Sequence, residues 1–158
     1  MIPHVKYIDP NLPDVEIELL VGGASEAPLI NNQALAASRA GDHRLSIKLH
    51  RQALAIKIAA FGENSVHSAI TLNGLGEELL EVGELDEAET VLKKAYAVRK
   101  NLGPGQAFDR AVTGENLGRV YEAEGDWEKA RKIREEGGAE GVACSNYHVG
   151  VETTLSRW

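Results

Sequence analysis

Several residue types are scarce in this chain of 158 residues, and each scarcity excludes a class of protein. The single cysteine cannot form a disulfide within the chain, which suits a reducing compartment. A membrane-spanning helix needs about 20 consecutive apolar residues, and no apolar stretch of this chain approaches that length. Residues 1–6 also lack the basic start and the apolar stretch of a secretory signal. We therefore expect a cytoplasmic protein, with the nucleus as the alternative, and no membrane partner.

Basic residues are also in deficit. Lysine and arginine number 17 against 24 aspartates and glutamates, so the net charge is −7. A surface that neutralises nucleic-acid phosphates needs the opposite balance, so we expect no nucleic-acid partner. Aromatic residues make up 5% of the chain, whereas alanine, leucine and glutamate, all strong helix formers, are its commonest residues. With 43% apolar residues, the composition predicts a helical protein that can bury a core.

An internal repeat of 42 residues organises the chain. It is clearest at three turn-forming dipeptides, Gly41-Asp42, Gly83-Glu84 and Gly125-Asp126. The same spacing relates several small and apolar residues: Leu75-Gly76 to Leu117-Gly118, Ala53 to Ala95, Ala69 to Ala111, Thr71 to Thr113, Ala88 to Ala130, and Ile56-Lys57 to Val98-Arg99. Columns of glycine and alanine indicate places where helices cross closely, so the repeat predicts stacked helical units.

Each repeat reads as two helices joined by a tight turn. Leu72, Leu75 and Leu79 follow the i, i+3, i+7 spacing of one helix face, and the pattern restarts after Gly83. We predict first helices at residues 28–40, 67–82 and 108–124, and second helices at 43–61, 85–101 and a shortened 127–136. The predicted units occupy residues 28–66, 67–106 and 107–136, between an extended N-terminal segment (residues 1–27) and a C-terminal tail (residues 137–158).

Several short motifs resemble one repeat family. Thr71-Leu72-Asn73-Gly74-Leu75-Gly76 is similar to the T-L-N-N-L-A motif of the kinesin light chain subtype of the tetratricopeptide repeat. The segments Gly83–Glu89 and Leu102–Pro104 resemble that subtype's turn and loop, and the resemblance covers residues 28–136. It implies an all-α, right-handed solenoid of about three repeats with irregular N- and C-terminal extensions. It also implies a scaffold function, in which the first helices line a concave groove that holds a peptide.

The resemblance and the helical period together predict which residues face this groove. The predicted peptide-binding residues are Asn31, Leu35, Ser38, Asn73, Glu77, Leu80, Glu115, Asn116, Arg119 and Glu122. Asn73 and Asn116 stand in the columns of the motif's paired asparagines, whose amides can bond a peptide backbone in both directions. Leu35 and Leu80 would form an apolar floor. Because glutamates outnumber arginines in this set, we expect a protein or peptide partner of neutral to basic character.

Catalytic and metal-binding motifs are mostly absent from the sequence. The chain has no phosphate-binding loop and no HExxH pair, and we expect His50 and His67 at the surface or partly packed. Cys144 and His148 resemble the start of the MYND-type zinc finger that follows such repeats in some fungal proteins, but no second cysteine follows. We therefore expect a protein that is not an enzyme, has no cofactor and no zinc site, and keeps Cys144 as a free thiol.

The terminal segments leave further interpretations open. Residues 1–27 either lie over the first helix pair as a cap or pair with another molecule, because Val15–Val21 alternates like a strand without a strand partner in a helical array. The chain would then be a self-associating assembly module, a homodimer through Val15–Val21 or Val149–Leu155. Another interpretation is a truncated fragment of a larger regulatory protein with tetratricopeptide repeats and a MYND-type finger.

Overall fold

The computed structural model describes residues 4–8, 16–20 and 26–148, with side-chain environments from residue 26 to residue 137. Its helical part consists of three helix–turn–helix units. The helices are α1 (Glu26–Arg39), α2 (His43–Phe61), α3 (Val66–Glu81), α4 (Leu85–Asn101), α5 (Ala107–Ala123) and α6 (Trp127–His148), and a 3-10 turn, Pro104–Gln106, precedes α5. Every helix packs on the next one along the chain. The predicted all-α solenoid of three units is therefore confirmed.

The turn inside each unit depends on a glycine in the left-handed region. These glycines, with φ of 80°, 81° and 82°, are Gly41, Gly83 and Gly125. The amide after the glycine then donates to a carbonyl in the last turn of the preceding helix, as from Glu84 N to Leu79 O at 2.9 Å. In the first turn Asp42 Oδ1 accepts from the Leu45 amide at 3.0 Å and caps the start of α2. The backbone bond recurs in all three turns, which explains the repeated glycine, whereas Glu84 makes no such side-chain cap.

The core runs through the units as columns of leucine and small residues. Buried members include Leu72, Leu75, Leu79, Leu92, Leu117 and Val120. At Gly76 the helices of one unit cross so closely that a Cβ would lie 2.4 Å from the Leu92 Cγ. A side chain at this position is excluded unless the leucine moves, which is why glycine stands there. The predicted close crossing at Gly76 is confirmed by this contact.

Adjacent units are also joined by a repeated polar contact. Lys57 of α2 donates from Nζ to Thr71 Oγ1 of α3 at 2.6 Å. One repeat later, Arg99 of α4 donates from Nη1 to Thr113 Oγ1 of α5. All four residues are buried, and burial lowers the pKa of both the Lys57 ammonium and the Arg99 guanidinium. Each junction between units therefore contains a buried cation that donates to a threonine of the next unit.

The N-terminal segment differs from the irregular extension that the sequence predicts. Strand β1 (His4–Ile8) pairs with β2 (Glu16–Leu20) in antiparallel register, with His4 opposite Leu20 and Tyr7 opposite Ile17. The expectation that the alternating stretch lacks a strand partner was therefore wrong, because β1 supplies one from within the same segment. Strand β2 also contacts α2. The role of residues 1–27 as a cap stays a prediction.

The last helix is longer than predicted. We expected the second helix of the third unit to end at residue 136, yet α6 continues to His148. Gly137 does not end the helix: a Cβ there would lie 3.3 Å from the Ala111 Cα, so this glycine lets α6 pack closely on α5. Residues 149–158, the side chain of Cys144, and the self-association stretch Val149–Leu155 lie outside the residues whose environments are described.

Candidate binding groove on the first helices

Three of the predicted groove residues form one hydrogen-bond network between α3 and α5. Asn116 donates from Nδ2 to Glu77 Oε1 at 2.7 Å and to Asn73 Oδ1 at 3.3 Å. Asn73 donates from Nδ2 to the same Glu77 oxygen at 2.8 Å. The network ties the first helices of the second and third units to each other. It also brings together residues that are 39 and 43 positions apart in the chain.

Within this network Asn73 and Asn116 are buried donors that fix the position of the Glu77 carboxylate. Asn73 is 9% exposed and Asn116 is 6% exposed, whereas Glu77 is partly exposed. Two amide donors converge on one carboxylate oxygen, which restricts the rotamers of Glu77 and keeps its charge in a defined place. Arg99, buried nearby, interacts electrostatically with Glu77 while it donates to Thr113 and to the Asp109 carbonyl. Glu77 is thus a positioned carboxylate on the face of α3 that the sequence predicts to line the groove.

The glutamates of the third unit are paired with an arginine that the sequence analysis did not include. Arg134 of α6 donates from Nε and Nη2 to the two carboxylate oxygens of Glu115, at 2.8 and 2.9 Å, and from Nη1 to Glu122. These bonds raise the pKa of Arg134 and lower that of Glu122. The 42-residue repeat could have indicated that Arg134 faces the neighbouring helix, since it stands in the same column as the buried Leu92.

A second ion pair crosses from α5 to α3. Arg119 donates from Nη2 to Glu81 Oε1 at 2.7 Å, and both side chains are exposed. Two of the predicted acidic residues, Glu115 and Glu122, are therefore paired with arginine, while Glu77 accepts from neutral amides. Among the predicted groove glutamates, Glu77 is therefore the one that no described arginine pairs with at salt-bridge distance.

The first unit cannot build the same network. Asn31 is the counterpart of Asn73, and its Oδ1 is buried without a hydrogen-bond partner among the described residues. The position equivalent to Asn116 is Gly74, which has no side chain, and the position equivalent to Glu77 is Leu35. Among the described residues, the asparagine network therefore joins the second and third units but not the first and second. There, Asn31 has neither a second asparagine nor a glutamate to bond, because Gly74 and Leu35 stand in their places.

The absence of a side chain at Gly74 follows from its neighbour His50. A Cβ at Gly74 would lie 2.8 Å from the His50 Cε1. His50 is 2% exposed, and both of its ring nitrogens lack hydrogen-bond partners among the described residues. Burial lowers the pKa of His50, although the Glu78 carboxylate opposes the shift. The expectation of a surface or partly packed His50 was wrong, whereas His67 is exposed and stacks on Phe61.

The predicted apolar and small groove residues differ in how exposed they are. Leu35 is exposed, Ser38 is half-buried, and Leu80 is half-buried and packs against the core. The structure adds three exposed residues in one repeat column that the sequence analysis missed: Pro28, Ile70 and Val112. Each precedes the column of Asn31, Asn73 and Glu115 by one helical turn. The 42-residue spacing of these three apolar residues could have identified the column from the sequence.

The residues that the structure describes form neither a metal-binding cluster nor a membrane-spanning helix. In that part of the chain, no three histidine, cysteine, aspartate or glutamate side chains are grouped so that they could hold a metal ion. Likewise, none of the helices described is long and apolar enough to cross a membrane.

Two family models described as tetratricopeptide repeat match the chain, at residues 25–101 and 115–142. The chain belongs to the tetratricopeptide repeat family. Neither matched model is a MYND-type finger, so the resemblance at Cys144 has no support. Tetratricopeptide repeats generally bind protein partners and are typically not catalytic.

Solved structures of kinesin-light-chain-like repeat proteins are similar to the chain. BtubC (BKLC) from P. vanneervenii is 28% identical over 84% of this chain and 53% of its own, with a TM-score of 0.72. A Podosopora anserina protein, described as a kinesin light chain with nearly identical TPR-like repeats, is 18% identical over 77% of this chain and 57% of its own, with a TM-score of 0.68. This chain thus spans about half the length of either. A search of the curated proteins found no significant match.

Proposed function

We propose that this chain is a non-enzymatic scaffold that binds a peptide segment of a partner protein in the groove lined by α1, α3 and α5. The network of Asn73, Glu77 and Asn116 carries the proposal. The two buried asparagines fix the Glu77 carboxylate in place, and Glu77 stays partly exposed, so the carboxylate is held ready for a further donor. The proposed role of the carboxylate is to bind a donor of the ligand.

The network assigns different roles to Asn73, Asn116 and Glu77 from those that the sequence predicts. Asn73 and Asn116 act as positioning residues for Glu77, because they are buried and donate to it. Glu77 then accepts from a ligand N–H or a basic side chain. Leu35 supplies apolar contact at the first unit, where the network is absent. Ser38, Leu80, Arg119 and the Arg134-paired Glu115 and Glu122 line the remaining groove side.

The preferred ligand is an extended peptide of neutral to basic character. The chain has a net charge of −7, and the Glu77 carboxylate accepts from two neutral amides while the buried Arg99 interacts with it electrostatically. Opposite charges on the partner speed encounter and improve discrimination more than they raise affinity. We therefore expect the association rate constant to fall as ionic strength rises.

A peptide array with the full chain and two charge-matched variants tests this proposal. Glu77→Gln removes the positioned carboxylate, and Glu124→Gln removes an exposed carboxylate at the end of α5. We expect Glu77→Gln to weaken binding of basic peptides about tenfold, as loss of a charged hydrogen bond does, and Glu124→Gln to leave it unchanged. Equal binding by all three proteins, or a preference for acidic peptides, would contradict the assignment.

Self-association through the terminal segments is the alternative function. Strand β2 covers most of Val15–Val21 and pairs with β1, while Val149–Leu155 lies outside the described residues. Measurement of the mass in solution, with and without residues 1–25, tests this alternative. A monomer of both forms at high concentration would exclude it.

A further inference from the structure

An apolar side chain is exposed at the same place in each of the three units. Pro28, Ile70 and Val112 share one repeat column, and Ile70 is 46% exposed while Val112 is 39% exposed. Phe108 precedes Val112 by one turn on the same face of α5 and is 77% exposed. Scattered exposed apolar residues are common, but here the repeat places one on each of the first helices α1, α3 and α5. We call these four residues the apolar row.

The apolar row lies beside the positioned carboxylate. Ile70, Asn73 and Glu77 follow i, i+3, i+7 spacing and therefore share one face of α3. Seven residues of helix place Glu77 about 10 Å from Ile70 along the axis of α3. A ligand that crosses α3 and α5 at the level of Asn73 would have the apolar row on one side and Glu77 on the other.

The spacing along the apolar row fits one backbone conformation. Packed helices lie about 8–10 Å apart, and Asn73 and Asn116 already join α3 to α5 directly. Ile70 and Val112 should therefore be separated by a similar distance. A polyproline II segment returns each side chain to the same side every three residues, or about 9 Å. A β-strand returns it every two residues, or about 7 Å, which fits this distance less well.

We infer that the apolar row and Glu77 together bind a basic peptide segment in the polyproline II conformation, with apolar side chains at positions i and i+3 and a lysine or arginine between them. The apolar pair contacts Ile70 and Val112, and the basic side chain faces Glu77 across the groove. The charge assignment follows from the amide-held carboxylate, whereas Glu115 and Glu122 are paired with Arg134. This inference rests on the proposed function and specifies its ligand.

Fluorescence anisotropy with short labelled peptides and the full chain tests the inference. The peptides share a background of lysine, glutamine and proline and carry two leucines separated by two, three or four positions. A further peptide replaces its lysines by glutamates. We expect the i, i+3 peptide to bind about tenfold more tightly than the other spacings, and the glutamate version to bind weakly.

Variants of the apolar row test whether Ile70 and Val112 cause the preference for the i, i+3 peptide. Ile70→Ser and Val112→Ser should each remove the preference for the i, i+3 peptide, and thermal melts should stay unchanged because both side chains are exposed. Leu45→Ser is the matched control, since Leu45 is 44% exposed on the second helix α2.

The outcomes separate this inference from the proposed function. Binding that depends on Glu77 but shows no spacing preference, or that survives both serine variants, would overturn the inference and leave the groove in place. Tighter binding of the glutamate peptide would overturn the charge assignment. If no peptide binds, the groove itself is rejected, and the inference falls with it.

Discussion

Replacing His50 by leucine should stabilise the chain and remove an acid-dependent loss of stability. Both ring nitrogens of His50 are buried without hydrogen-bond partners in the described part of the chain. Leucine already stands one repeat later, as the buried Leu92. The substitution removes the unsatisfied nitrogens and roughly keeps the side-chain volume, so the apolar contacts between α2 and α3 should persist.

The expected magnitude follows from the cost of unsatisfied buried polar groups, about 1–3 kcal/mol for a residue of this kind. At neutral pH we expect a gain in the free energy of unfolding of about 1–2 kcal/mol. Because burial lowers the pKa of His50 below 6.5, the unfolded chain binds this proton more readily than the folded chain. Parent stability should therefore fall as the pH drops below 6.5, by at most about 1.4 kcal/mol per pH unit from this group.

Charged groups around His50 modulate this titration without reversing it. Glu78 favours the protonated imidazole and Lys57 disfavours it, while burial has the largest effect. Glu78 also accepts from His43 at 2.9 Å, so its negative charge is shared with a second histidine.

Chemical denaturation of the parent and of His50→Leu between pH 7 and pH 5 measures the effect. His67→Leu, which removes an exposed histidine, is the matched control, and His50→Met tests whether a branched side chain strains Gly74. The difference in unfolding free energy between parent and His50→Leu should widen as the pH falls. Parallel curves for the two proteins, or a loss of stability in both His50 variants at pH 7, would refute the reasoning.

Three further predictions test the core, the junctions between units and the metal assignment. Gly76→Ala should destabilise the chain by about 1–3 kcal/mol because its Cβ would lie 2.4 Å from the Leu92 Cγ. Gly105→Ala, which meets nothing within 4 Å, should leave the thermal melt unchanged. Thr71→Val should cost about 1–3 kcal/mol because the buried Lys57 loses its acceptor, and equal melts would dismiss this contact as a determinant of stability. Chelation of zinc should not move the melting temperature, and a large loss would revive the metal-site interpretation.

The sequence by itself determined the repeat, its units and nearly all helix bounds. Predicted and observed helices agree within two residues at each end except at the end of α6. The reason is that these features depend on local interactions. A glycine with positive φ, as at Gly83, ends a helix through bonds to the helix's own last turn, and the 3.6-residue period identifies the face that is buried. The 42-residue columns also put Asn73 on α3 and Asn116 on α5, and the two side chains are hydrogen-bonded to each other; that they bond a peptide stays a prediction.

Tertiary structure decided the features that depend on what a side chain meets. Gly137 resembles a helix end in sequence, but its contact with Ala111 makes it part of a continuous helix. The charge of the groove depends on Arg134, whose partner Glu115 is 19 residues away on another helix. Strand β2 pairs with β1, a contact between two separate segments that the alternation within β2 does not specify. A residue's type specifies which contacts it can make, but the packing of distant segments decides which of them form, because burial and pairing are properties of the neighbours as much as of the residue.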